Sequence, residues 1–129
     1  MLSVVKTFKF HAAHFLPNHE GLCRNLHGHT YKLKVEVRSA LPNYLEKKDS
    51  GPEMGMVVDF SILKKVVEEN VLRELDHSNL NNIYTNPTAE NMVSDIWARL
   101  EHSLYSVNVF LVSLELYETE SSCARKTNG

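Results

Sequence analysis

His27-Gly28-His29-Thr30-Tyr31-Lys32-Leu33-Lys34-Val35-Glu36-Val37-Arg38-Ser39 (HGHTYKLKVEVRS) alternates almost without interruption. His27, His29, Tyr31, Leu33, Val35 and Val37 share one parity, and Thr30, Lys32, Lys34, Glu36 and Arg38 the other. Successive side chains of a strand point to opposite faces, so the pattern predicts a half-buried antiparallel strand over 27–39. Its apolar face opens with two imidazoles.

Working outward, residues 2–14 read as another strand. Val4, Phe8, Phe10, Ala12 and His14 lie on one parity, with Thr7, Lys9 and His11 on the other, and Lys6 breaking the apolar side. Pro17, Asn18 and Gly21 make 15–26 a loop. Two prolines, two glycines and the cluster Glu46-Lys47-Lys48-Asp49 predict a solvated, mobile connection over 41–55. Met56-Val57-Val58 reads as a short extended piece leading to Asp59, a natural N-cap. Ile62, Leu63, Val66, Val67, Val71 and Leu75 then recur at helical spacing. A second helix is expected to begin at Thr88, just after Pro87, with Met92, Val93, Ile96, Trp97, Leu100 and Leu104 as its stripe. Val107–Glu118 is β-rich, with Phe110, Val112, Leu114, Leu116 and Glu118 on one parity, and a tail strand follows around Ser122–Arg125. This order predicts an α+β fold, an antiparallel sheet with helices packed on one face. A sheet that small leaves two edges, and bare edges predict oligomerisation.

The totals set bounds. With 129 residues, 43% of them hydrophobic and 23% charged, a single domain over 1–129 is expected. A formal charge of −2 gives no support for a nucleic-acid partner. No apolar run approaches the roughly 20 residues of a membrane helix. Lysines and histidines interrupt MLSVVKTFKFHAAHFL, unlike a secretory leader, and the two cysteines stand a hundred positions apart. Reduced thiols and a cytoplasmic location are the expectation.

Seven histidines is a high count, and parity sorts them. If the first two strands pair as a hairpin, His14 meets His27 and His29 on one face, a three-nitrogen site suited to zinc with its fourth position open. A lone inward histidine is usually a satisfied core residue. Three converging ones are harder to satisfy without a metal, because each neutral ring has one donor. His11, His19 and His102 read as surface or loop residues. Cys23 is either a fourth ligand closing a structural site or a base beside an open one, and spacing does not choose. Asp76-His77 fits a carboxylate-oriented proton-transfer histidine. It fits equally a histidine stabilised by a helix C-terminus.

Phe10-His11-Ala12-Ala13-His14, Cys23 with His27-Gly28-His29 and Tyr31, and Gly55-Met56-Val57-Val58-Asp59-Phe60 together resemble the 6-pyruvoyl-tetrahydropterin synthase family. So do Leu75-Asp76-His77, Asn86-Pro87-Thr88-Ala89-Glu90-Asn91 and Leu116-Tyr117-Glu118-Thr119. The resemblance implies the tunnelling fold: a four-stranded antiparallel sheet with two helices on one face, assembled edge to edge into a β-barrel, commonly as a hexamer. It implies Zn2+ on His14, His27 and His29, Cys23 as base with Asp76 and His77, and Glu118 anchoring the pterin, with Thr88 in a substrate-binding block. In the expected homo-oligomer, Glu118 of one chain serves a zinc held by another. The implied substrate is 7,8-dihydroneopterin triphosphate. The short interval between Cys23 and His27 is similar to the bacterial, queuosine-pathway branch, which cleaves the side chain to acetaldehyde and a 6-carboxy product. Retention of all three side-chain carbons, as in pyruvoyl synthases, and a non-catalytic zinc-stabilised binding protein are the alternatives. Triphosphate contacts match no block; Arg24, Arg125 and Lys126 are candidates by charge alone.

Overall fold

The computed structural model describes residues 1–42 and 55–129. Most of the 41–55 connection (43–54) therefore lies outside the described residues. In chain order the elements begin with β1 (Val4–His14), a 3-10 turn (Leu22–Arg24) and β2 (His27–Ser39). There follow α1 (Phe60–Val67), a π turn (Glu68–Leu72) and a last α turn (Arg73–Leu75). Then come β3 (Ser78–Asn79), a 3-10 turn (Leu80–Asn82), α2 (Ala89–Tyr105), β4 (Val109–Thr119) and β5 (Ser122–Thr127).

The sheet has five strands in the order β3-β1-β2-β4-β5. Four pair antiparallel, as the alternation requires, but the sheet is mixed rather than purely antiparallel. Ser78 and Asn79 add a two-residue parallel strand beside Ala12 and Ala13. No alternation can announce a strand of two residues; it exists because the chain leaving the first helix docks on the edge of β1. Phe8, Phe10, Tyr31, Leu33, Val35, Val37, Leu114 and Leu116 form the sheet side of a core completed by both helices. Phe10 and Tyr31 stack with centroids 4.9 Å apart.

Two elements depart from simple periodicity. On β4 the buried residues are Val109, Leu111, Leu114 and Leu116, so Phe110 and Val112 do not share the core parity of Leu114. A bulge opposite Glu36/Val37 inserts one residue between Leu111 and Ser113, and one extra residue exchanges the faces. In the first helix the buried series Leu63, Val67, Val71, Leu75 steps by four. At 3.6 residues per turn such a stripe drifts by roughly 40° at each step, and the wider π turn takes up the drift. Within that turn Asn70 donates to Val66 O at 2.7 Å, and Arg99 from α2 reaches the Asn70 carbonyl at 3.4 Å. Arg99 also pairs with Asp95 at 2.7 Å and Glu74 at 3.3 Å, locking the two helices together.

The helix starts follow the sequence. Asp59 accepts the Ser61 amide at 2.8 Å, and Thr88 accepts that of Asn91 at 3.1 Å, each removing an orphan donor of the first turn. Met56–Val58 is not assigned to a strand; Val57 and Val58 form bends and are buried against the core. No described helix is long and apolar enough to cross a membrane.

Leu33 is fully buried on the central strand. Leu33→Ala should cost about 2–5 kcal/mol in urea unfolding, while Val5→Ala, half-exposed on the other side of the sheet, should stay within about 0.5 kcal/mol.

Candidate metal centre and proton-transfer groups

The β1–β2 register sets His14 directly opposite His27, with His29 opposite Ala12. All three imidazoles project to the core face at the loop end of the hairpin, with ring centroids 4.7, 4.8 and 5.0 Å apart. One ring nitrogen from each lies within 4.8 Å of the others. His14 is almost wholly buried.

Hydrogen bonding shows what this cup wants. His14 Nδ1 is 2.8 Å from the Pro87 carbonyl, and His27 Nδ1 is 2.7 Å from the Asn25 carbonyl. A carbonyl only accepts, so each ring spends its single proton there. Both Nε2 atoms then carry bare lone pairs, yet they face each other at 3.1 Å. Two lone pairs at that distance repel unless a cation lies between them. The separation is close to the ~3.3 Å edge of a tetrahedron with Zn–N near 2.0–2.1 Å. Backbone carbonyls holding the distal nitrogens are the usual outer support of metal-binding histidines. Burial, the largest cause, holds His29 below the ordinary histidine range, partly opposed by the nearby Glu118 charge, and the lowering favours the neutral ring that a metal needs. The donor set fits zinc.

Glu118 sits on the core parity of β4, and its Oε1 is 3.9 Å from His14 Nε2. Within one chain the carboxylate thus stands beside its own imidazoles. Tyr31 closes the floor, its hydroxyl 3.2 Å from His14 Nδ1, with burial pushing its ionisation well up. Thr88 uses its hydroxyl as the cap of α2.

Cys23 lies on the 3-10 turn just before β2, half-buried, a free thiol. It is not among the ligand atoms that come within 4.8 Å of one another. The opening alternative of a fourth ligand therefore loses its geometric support.

Asp76 and His77 are paired, Nδ1 to Oδ1 at 3.0 Å, but stand elsewhere. His77 adopts φ +59°, a left-handed conformation uncommon for non-glycine residues, though histidine enters it more readily than most. The bend turns its amide onto the His11 carbonyl at 2.6 Å, while the His11 amide donates to Asp76 Oδ1 at 3.0 Å. That amide bond is the main reason the Asp76 carboxyl titrates below its ordinary range. The His77 ring is 5.8 Å from that of His11 and largely exposed. His11 is three residues from His14 on a strand, hence on the opposite, outer face. Among the described residues no hydrogen bond joins His77 to Cys23.

Sequence reading missed the supports. Asn81 donates to Phe15 O at 2.9 Å and accepts its amide at 2.8 Å, pinning the backbone next to His14. The Pro87 and Asn25 carbonyls orient two rings, and backbone acceptors carry no sequence signal. His11, read as a surface residue, supplies both backbone contacts to Asp76-His77.

A model of the 6-pyruvoyl tetrahydropterin synthase family matches residues 3–128. A Synechocystis protein named 6-carboxy-5,6,7,8-tetrahydropterin synthase is 42% identical over 97% of this chain and 92% of its own. A Haemophilus influenzae protein of the same name is 34% identical over 95% and 96%. The structure of Caenorhabditis elegans 6-pyruvoyl tetrahydropterin synthase superposes with a TM-score of 0.77 at 27% identity, covering 99% of this chain and 96% of that one.

His27→Ala and His29→Ala should each abolish stoichiometric zinc, measured by elemental analysis, whereas His11→Ala should leave metal content near one per chain. Asn81→Ala should keep the metal but weaken it, because His14 loses its backbone anchor; unchanged affinity in a chelator competition would remove Asn81 from the site.

Proposed function

Because the chain belongs to the 6-pyruvoyl tetrahydropterin synthase family, we propose that it is a 6-carboxy-5,6,7,8-tetrahydropterin synthase. In this reading it converts 7,8-dihydroneopterin triphosphate and one water to 6-carboxy-tetrahydropterin, acetaldehyde and triphosphate, in the queuosine pathway. The observation that carries the reading is the three-imidazole cup with inward lone pairs and Glu118 at its rim. Zinc is the metal it suits, and once bound it supplies Lewis acidity toward a side-chain hydroxyl of the substrate.

The chain's own groups divide the remaining work. Glu118 would take the guanidine-like edge of the pterin, two adjacent N–H donors matched to two carboxylate oxygens. Cys23 would act as base on the side chain, and His77, held by Asp76, would carry the second proton. Thr88, at the start of α2, would border the pterin.

Cup and dyad lie on opposite faces of one sheet, so a single chain does not present both to one substrate. We read the active unit as a homo-oligomer, a hexamer in the family's manner, in which a neighbouring chain's Asp76-His77 meets this chain's Cys23. Two features support it. Among the described residues the outer edge of β1 is strand-paired only at Ala12 and Ala13, where β3 docks. Leu22 and Leu26, either side of Cys23, are 86% and 61% exposed, apolar surface that an abutting chain would cover.

Acetaldehyde release from dihydroneopterin triphosphate distinguishes this enzyme from a pyruvoyl synthase, which keeps all three carbons. Cys23→Ala should retain zinc and lose about 10²–10⁴-fold in turnover, the usual contribution of a general base. Adding His77→Ala should cost less than the product of the two single losses. Loss of zinc from Cys23→Ala would instead restore the structural-site reading. Mixing inactive Cys23→Ala and His77→Ala proteins should regain part of the activity if the site spans chains; a fully active monomer in sedimentation would refute the shared site.

A further inference from the structure

The outer face of the sheet holds a second concentration of charge. Lys9 and Lys32 are direct cross-strand partners in the β1–β2 ladder, so two ammonium groups leave the same face at adjacent positions. Like charges directly opposite destabilise a sheet. Among the described residues neither lysine forms an ion pair with a carboxylate. Lys32 is steadied by the Tyr117 ring, 4.4 Å from its centroid, but that contact leaves the charge in place. Of the candidates by charge, Arg125 is bound to Glu115 at 3.0 Å and Lys126 lies over Trp97 at 5.4 Å, while Arg24, on the exposed turn that carries Cys23, does not line the pocket that Lys9 and Lys32 share.

Both lysines line a pocket of about 400 Å³ with Thr30, Thr119 and Glu120. That is within the usual size of small-molecule sites. Two ammoniums and two hydroxyls against one carboxylate leave it net cationic. The pocket also adjoins the proton-transfer groups. Thr30 Oγ1 is 3.0 Å from His11 Nδ1, and the His11 ring is 5.8 Å from that of His77. A substrate side chain lying at His77 would have its far end over this pocket.

We propose that Lys9 and Lys32 hold the substrate's triphosphate in the pocket they line on the outer face. The proposal rests on the pterin-triphosphate reading above. In the elimination the base takes a proton from carbon and the C–H electron pair forms the new double bond. The C–O bond breaks with its pair going to triphosphate. Two ammoniums at that oxygen's far side stabilise the leaving charge.

Inorganic tripolyphosphate is the probe, used with the zinc-loaded oligomer. It should raise the melting temperature of the native protein and compete with substrate. In K9Q/K32Q its binding should weaken about tenfold or more, the scale of losing charged hydrogen bonds, and the KM for the triphosphate substrate should rise. Affinity for unphosphorylated 7,8-dihydroneopterin and zinc content should not change. K64Q/K65Q removes the same charge from the exposed side of α1 and should behave as native. Tripolyphosphate that fails to bind the native protein, or binds K9Q/K32Q equally well, overturns the proposal. Turnover with an unchanged KM in K9Q/K32Q overturns it while leaving the functional reading intact. Lysine-dependent tripolyphosphate binding without any turnover supports the pocket as a triphosphate site and removes the pterin reading.

Discussion

Two nitrogen lone pairs facing each other at 3.1 Å are the constraint on which the site depends. They face because each ring has given its proton to a backbone carbonyl, Pro87 for His14 and Asn25 for His27. Those carbonyls are placed by quite different parts of the chain. Asn25 ends the turn that carries Cys23, and Pro87 precedes the cap of α2. The cup therefore ties together the hairpin, the cysteine loop and the second helix. Buried Tyr31 and the Asn81 clamp on Phe15 give the rings little room to turn away. Such a cup is electrostatically frustrated when empty and relieved by a cation, which is how a binding site differs from a satisfied core.

The sheet separates the chemistry by face. Its core side carries the imidazoles and Glu118; its outer side carries His11, Asp76-His77 and the Lys9/Lys32 pocket. A strand delivers this division at no cost, since neighbouring residues point opposite ways. His77 is brought to the outer side by a left-handed residue at a helix end, an arrangement of modest strain that the two backbone bonds to His11 hold in place. In the proposed oligomer, groups divided across a sheet act on one molecule where two sheets abut, and the exposed leucines beside Cys23 lie where that proposal needs a neighbour.

Much of this was legible in the chain. Alternation over 27–39 and 2–14 gave both strands, their shared core face and the convergence of His14, His27 and His29, because a period of two is insensitive to distant residues. Asp59 and Thr88 announced their helices through local hydrogen bonds. Legibility failed where a partner element intervened. The β4 bulge exchanged the faces of Phe110 and Val112, and the four-residue stripe of the first helix required a π turn. The two-residue β3 has no pattern of its own to read.

The amino-acid sequence by itself determined which side chains share a face and which chemistry they can perform, since both follow from local geometry and donor type. Tertiary structure alone decided that Cys23 stays outside the cup and that Glu118 stands beside its own chain's imidazoles. It also decided that Asp76-His77 lies across the sheet from them. Those outcomes depend on where backbone carbonyls and chain reversals fall in space, and a carbonyl or a left-handed turn at a histidine is the same letter in the sequence wherever it points.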